Sequence, residues 1–162
     1  MKKILFLTII TSIFCSCIFT GNEQINEVSE FNPIILKRKD LDNSIQLQES
    51  KPVVTSSKIY IIDDYIFIND KHTGFHIFDN KNPENPIKKS FLKIPGATDI
   101  AIKGSICYIN QATDLVVLNL NLTNFSFKLE KRIKNVFPEL LAPDGTWHYT
   151  NEEEIVVNWI KK

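Results

Sequence analysis

The chain has 162 residues, 43% of them hydrophobic, and balances 19 basic against 19 acidic side chains. That length is enough for one domain with a substantial core, and the missing basic excess removes the electrostatic footprint of a nucleic-acid partner. Of the three cysteines, two stand within the first seventeen residues, which excludes a disulfide-stapled scaffold.

At the N-terminus, Lys2-Lys3 precedes an apolar or hydroxylated run, Ile4 to Phe14, and Ser16-Cys17 follows as a small residue before a cysteine. Charge, apolar run and small-residue exit are the order of an export signal. Even the longest apolar reading, Ile4 to Phe19, is shorter than the roughly 20 residues of a spanning helix. Residues 1–16 therefore read as a lipoprotein signal peptide, with Cys17 as the lipidated first residue of the mature chain. Simple secretion and an uncleaved anchor are the other outcomes such a segment allows. Several acyl chains of the palmitate kind give stable membrane anchoring that one chain does not. With Cys17 lipidated and Cys15 removed, Cys107 is the remaining thiol. Its setting, Ser105-Ile106-Cys107-Tyr108-Ile109, is that of a small buried hydrophobe in a strand, with no activating base beside it.

Residues 17–31 are mostly polar and lack sustained periodicity, so they read as a flexible tether. The folded part is expected over 32–162. Lys37 to Ile45 carries Leu41 and Ile45 four apart and predicts a short helix at most. From Val53 onward the chemistry is that of strands, with Ile, Val, Phe and Tyr in short runs broken by Asp, Asn, Gly and Pro. The predicted strands are Lys58–Ile62, Tyr65–Asn69, Phe75–Asp79, Ile87–Leu92, Thr98–Ile102, Ile106–Asn110, Leu115–Leu120, Phe125–Ile133 and Ile155–Ile160. Asp63-Asp64 and Gly104-Ser105 are hairpin breaks, and Asn80 to Pro86 is a longer turn whose prolines donate nothing to a ladder.

The runs repeat. Tyr65 to Asn69 aligns with Ile106 to Asn110, and Ile59 and Ile61 align with Ile100 and Ile102, at an offset of 41. Gly74 to Asp79 aligns with Asp114 to Asn119 at an offset of 40. A period of about 40 residues holding four short strands is the spacing of a propeller blade, and a unit of this kind leaves one face to be covered by a neighbour. The predicted class is all-β: two propeller-like antiparallel blades plus a trailing strand, a partial and unclosed propeller. Lys88-Lys89 and the Lys128 to Lys134 stretch suit guards of exposed edges, through which a homo-oligomer is the expected association.

Gly74 to Asp79, followed by Asn80-Lys81-Asn82-Pro83-Glu84-Asn85-Pro86, resembles the glycine, apolar strand, Asp and Asn-Pro-x-x-Pro pattern of the bacterial LVIVD β-propeller repeat. Ile94-Pro95-Gly96-Ala97-Thr98-Asp99 to Gly104 is similar to that repeat's inter-blade segment. From Pro33 to Lys162 the chain resembles uncharacterised bacterial lipoproteins carrying such repeats. The resemblance implies a propeller fold and a lipid anchor; it implies no activity and no catalytic residues. Leu120 to Phe125 departs from the pattern, since the second unit lacks the Asn-Pro pair.

His72 and His76 have helical metal-site spacing, but one falls in a turn and the other in a strand, so they read as surface or strand-face residues rather than ligands. Asp63, Asp64, Asp70, Asp79 and Asp99 lack the spacing of a calcium loop and read as turn residues. Glu152-Glu153-Glu154 reads as a solvated cap before the last strand. No phosphate loop, nucleophile elbow or paired-cysteine metal motif occurs, so no cofactor and no metal is expected. Trp147, His148 and Tyr149, together with Trp159, form the candidate ligand patch, because aromatic side chains supply contact area at low entropy cost. The expected function is a lipid-anchored protein of the cell envelope, at the outer membrane, whose non-catalytic β scaffold presents a surface to an envelope protein or a glycan. The alternative is a carbohydrate-acting enzyme or enzyme subunit using the Trp147 to Glu154 region.

Overall fold

A computed structural model describes residues 29–162. The expected signal segment 1–16, the lipidation residue Cys17 and residues 18–28 of the expected tether lie outside the described residues. Ser29 and Glu30 both donate to the carboxylate of Asp144, from the hydroxyl at 2.8 Å and the amide at 3.1 Å. The first strand, β1, runs Phe31–Lys37 and leads into a single helical turn, α1, Arg38–Asp42. Then follow β2 (Gln46–Glu49), β3 (Ser56–Ile62), β4 (Tyr65–Asp70), β5 (Gly74–Asp79), β6 (Ile87–Lys93), β7 (Ala97–Lys103), β8 (Ile106–Gln111), β9 (Asp114–Asn121), β10 (Ser126–Ile133) and β11 (Glu154–Lys161). Each of the nine strands predicted from the alternating pattern is present, with ends within two residues of those expected.

The strands form three antiparallel sheets, none closed: β2-β6-β5-β4-β3, β10-β9-β8-β7 and the pair β1-β11. Two strands, β1 and β2, are not among those expected from the sequence. The first sheet has a fifth strand, β2, paired with Ser90–Lys93 of β6. The trailing strand β11 pairs with β1 rather than with either larger sheet.

The meanders β3 to β6 and β7 to β10 repeat one another in detail. β3 and β7 are displaced by 41 positions at both ends, as are β4 and β8. The register slips at Ser56/Ile59 in the first meander and at the equivalent Ala97/Asp99 in the second. A second slip leaves Lys89 without a partner in β6 and, equivalently, Glu130 in β10. Bulges raise local twist and bend a strand, so a shared pair of bulges gives two sheets the same curvature. The turn residues Asp63 and Gly104, also 41 apart, both take left-handed backbone angles, with φ of 48° and 58°.

Between the two meanders lies the main core, built on Phe67, Phe75, Ile77 and Leu92 from the first and Ile100, Cys107, Ile109, Val116 and Leu118 from the second. Burying a side chain of this size contributes about 2 kcal/mol. Cys107 is buried here and burial pushes its thiol up to about 11, which matches the expected inert hydrophobe. Across the seam, the Tyr60 hydroxyl of β3 and the Lys58 ammonium both donate to Asp99 of β7. Burial, and then this bond to Asp99, push the Tyr60 phenol up to about 12.

The lysines expected at edges lie there: β10 is an outer strand and carries Lys128 and Lys131, and the pairing of β2 with β6 ends at Ser90, which leaves the Lys88–Lys89 part of β6 uncovered. Among the described residues no helix is long and apolar enough to cross a membrane.

Candidate functional site

The segment between β10 and β11 is the longest connection among the described residues without regular secondary structure, and long ordered loops of this kind commonly carry function. Its first turn is fastened to the second meander: the Val136 and Phe137 amides donate to the Thr113 carbonyl at 2.8 and 2.9 Å. Its middle is folded by a tight turn in which Gly145 donates to Ala142 and the Thr146 amide to Asp144 Oδ1. The Thr146 amide, ahead of the other donors, holds the Asp144 carboxyl down at about 2.

From Thr146 the chain runs extended, with Thr146, His148 and Thr150 partly buried and Trp147 and Tyr149 turned outward. This alternation divides the sequence-predicted patch into two pairs. His148 packs edge-on against Trp159, with ring centroids 6.4 Å apart, and the Trp159 indole N–H donates to the Leu140 carbonyl. That pair is a structural clamp of the loop on β11. Trp147 and Tyr149 form the outer pair, edge to face at 5.8 Å, and are 56% and 76% exposed.

Glu139, which sequence reasoning did not single out, organises the outer pair. Its Oε2 accepts from the Trp147 indole N–H at 2.6 Å and its Oε1 from the Thr150 hydroxyl at 3.2 Å. Glu139 also lines a cleft of about 690 Å³, together with Glu152, Glu153, Glu154, Arg38 and Lys134. Both cations are engaged, Lys134 with Asp42 and Arg38 with Asp114, which leaves the glutamates as the lining charges without a cationic partner among the described residues.

Below the cleft lies a cluster that the sequence pattern did not reveal. Asp114 is fully buried and its two oxygens accept from Arg38 Nη1, both at 2.8 Å, and from Arg132 Nη1 at 3.0 Å. The Asn135 amide adds a further bond at 3.2 Å. Burial pushes the Asp114 carboxyl up, but the hydrogen bonds from Arg38 and Arg132 outweigh it, and the group lies below the ordinary carboxylate range. One signal was available: Asp114 occupies the position that Gly74 holds in the first repeat.

The two histidines stay apart. His72 lies in the β4–β5 turn and its Nδ1 faces Asn158 Oδ1 at 2.8 Å; that oxygen also accepts the Trp159 amide, so Nδ1–H is the donor. Burial lowers the His72 pKa, against the opposing bond to Asn158. His76 is fully buried on β5, with Nε2 3.2 Å from Asp70 Oδ2 and its ring against Phe91, so it belongs to the interior rather than the surface. Asp70, expected as a turn residue, instead ends β4 and also accepts the Thr55 amide.

No family model, curated protein or solved structure matches the chain.

Proposed function

We propose that the chain is a non-catalytic, lipid-anchored protein of the cell envelope that belongs with the LVIVD-repeat lipoproteins and binds glycans through Trp147 and Tyr149. Each four-stranded meander is, on this reading, a propeller-type blade, supported by the shared bulges and the 41-position repeat. The observation that carries the glycan reading is the exposed Trp147–Tyr149 pair, with its indole fixed by Glu139, a residue that also lines the cleft. Sugar rings present faces of C–H groups that stack on aromatic rings, and their hydroxyls donate to carboxylates. A pre-positioned indole also avoids the entropy cost of ordering a free one on binding.

Titration of the purified protein with soluble envelope polysaccharides and peptidoglycan fragments tests this. Trp147→Ala is expected to weaken binding by about tenfold or more, as loss of an aromatic anchor does; an unchanged affinity, or no glycan bound by the wild type, overturns it. The anchor has its own test. Cys17→Ala should move the protein from the membrane fraction to the soluble one, and retention of the variant in membranes defeats that part of the reading.

The alternative, a carbohydrate-acting enzyme, draws on Glu139 and Glu154 lining one cleft. Loss of a measured hydrolysis in a folded Glu139→Gln protein would promote it over the binding role.

A further inference from the structure

In the second meander, two rows of apolar residues cross the sheet toward the main core. One row is Ile100, Ile109 and Val116; the other is Ile102, Cys107, Leu118 and Leu129. Except for Ile102, which is partly buried, and Leu129 on the outermost strand, these side chains are buried against the first meander. The first meander has the same two rows at the equivalent positions: Ile59, Ile68 and His76, then Ile61, Ile66, Phe78 and Lys88. There no equivalent cover is present among the described residues. Ile59 is 63% and Ile61 68% exposed, against 4% for Ile100, and Ile66, Ile68 and Phe78 are only partly buried. Only the far end of the first row is closed, where Asp70, held by the Thr55 amide, meets His76 and the Lys51 ammonium lies over the Phe91 ring beside it.

A sheet face of isoleucine and phenylalanine left in water is an interaction site rather than a finished surface. The chain itself holds a matching cover. In the first meander the side that covers the second is the row Tyr60, Phe67, Ile77 and Ser90. Its equivalent in the second meander is Ala101, Tyr108, Val117 and Lys131, on the sheet face away from the core, where Tyr108 is 43% exposed and Val117 half-buried. We propose that the Ile59–Ile61–Ile66–Ile68–Phe78 face is a docking surface for a second copy of this chain, which inserts its Tyr108–Val117 face and repeats between copies the packing seen within one. Each copy then has one acceptor and one donor face, so association is heterologous, head to tail. The contact is face to face and does not require pairing of strand edges. The lysines of both faces stand at sheet edges, Lys131 on the outer strand β10 and Lys88 on the part of β6 beyond its pairing with β2, where long stems cover apolar surface while their charges stay solvated.

Light scattering on the full chain in mild detergent, with the detergent mass subtracted, tests the proposal through two variants. Ile61→Glu spoils the acceptor and Tyr108→Lys the donor; both positions are exposed, so each variant keeps native circular dichroism and one cooperative unfolding transition. Ile59→Lys serves as a second acceptor variant. The wild type is expected as a multimer and each variant alone as a single copy, with the dissociation constant raised about 30-fold or more. An equimolar mixture of Ile61→Glu and Tyr108→Lys retains one intact junction and is expected to give a two-copy particle. A single-copy wild type, an unchanged mass for Ile61→Glu, or a mixture that stays as single copies overturns it.

Discussion

Replacing Asp114 by alanine is expected to lower the unfolding free energy by about 3–5 kcal/mol, the cost of breaking a buried ion pair from one side. Asp114 is inaccessible and both guanidinium groups are nearly so, with Arg38 Nη1 and Arg132 Nη1 at 2.8 and 3.0 Å from its oxygens. Without the carboxylate, two cations face each other away from water, and the Asn135 amide loses its acceptor. Arg38 Nη2 then keeps only the neutral Asn135 Oδ1, while Arg132 keeps the Leu41 carbonyl and, through Nε at 3.3 Å, the half-exposed Asp42 carboxylate that it shares with Lys134, so the uncompensated charge falls on Arg38. Denaturant unfolding checks the size of the loss. The triple change Arg38→Met, Arg132→Met, Asp114→Leu should recover most of it, because apolar side chains of similar volume dispense with the desolvation cost altogether. A single Asp114→Ala loss below about 1 kcal/mol, the range of exposed pairs, would contradict the assignment.

The same cluster sets an acid limit. The folded Asp114 carboxyl lies below its ordinary value, because the bonds from Arg38 and Arg132 outweigh the burial that opposes them. Its contribution is therefore complete above the unfolded value of about 3.9 and is lost as the pH falls from there through the lower folded value. Asp70, lowered by the Thr55 amide and His76 against the same opposing burial, acts in the same direction. The denaturant midpoint should stay level from neutrality to about pH 5 and fall below about pH 4, with a shallower fall in Asp114→Asn.

The strands of both meanders were legible because Ile, Val, Tyr and Phe alternate over them and the turns carry Asp, Gly and Pro. β1 escaped notice for a physical reason: Pro33 sits inside it, and Ile34-Ile35-Leu36 shows no alternation because a bulge falls between Ile34 and Ile35. β2, Gln46–Glu49, has a single apolar residue, Leu47, and owes its place to pairing with β6. The aromatic stretch 147–149 was visible, but its division into a clamp and an exposed pair depends on Trp159 and Leu140, which only the fold brings near. The Arg38–Asp114–Arg132 cluster joins residues 76 and 18 positions apart, and no local pattern encodes such a contact.

Replacing Gly74 by alanine is expected to cost about 4 kcal/mol, combining left-handed backbone strain with overpacking against a rigid neighbour. Gly74 opens β5 at φ 145°, and a Cβ there would stand 2.1 Å from the Leu92 carbonyl oxygen and 3.0 Å from Phe91 Cζ. The obstacle is backbone in the adjacent strand, so relief requires β6 to move away, and β6 carries Phe91 and Leu92, both fully buried. Gly104→Ala supplies the control. It has φ 58° with open space around the added carbon, and strain alone should cost it about 1 kcal/mol. Thermal or denaturant unfolding of the two variants separates the steric part from the conformational part, and equal losses would show that the close approach of β6 is not what fixes the glycine. The second repeat explains why the position is free to differ there. Its β8–β9 turn holds two residues, Ala112 and Thr113, where β4–β5 has three, and Asp114 at the start of β9 turns its carboxylate to Arg38 and Arg132. One repeat closes this corner by contact of backbones and the other by charge, so Gly74→Ala should loosen the first sheet and leave the Arg38–Asp114–Arg132 cluster intact.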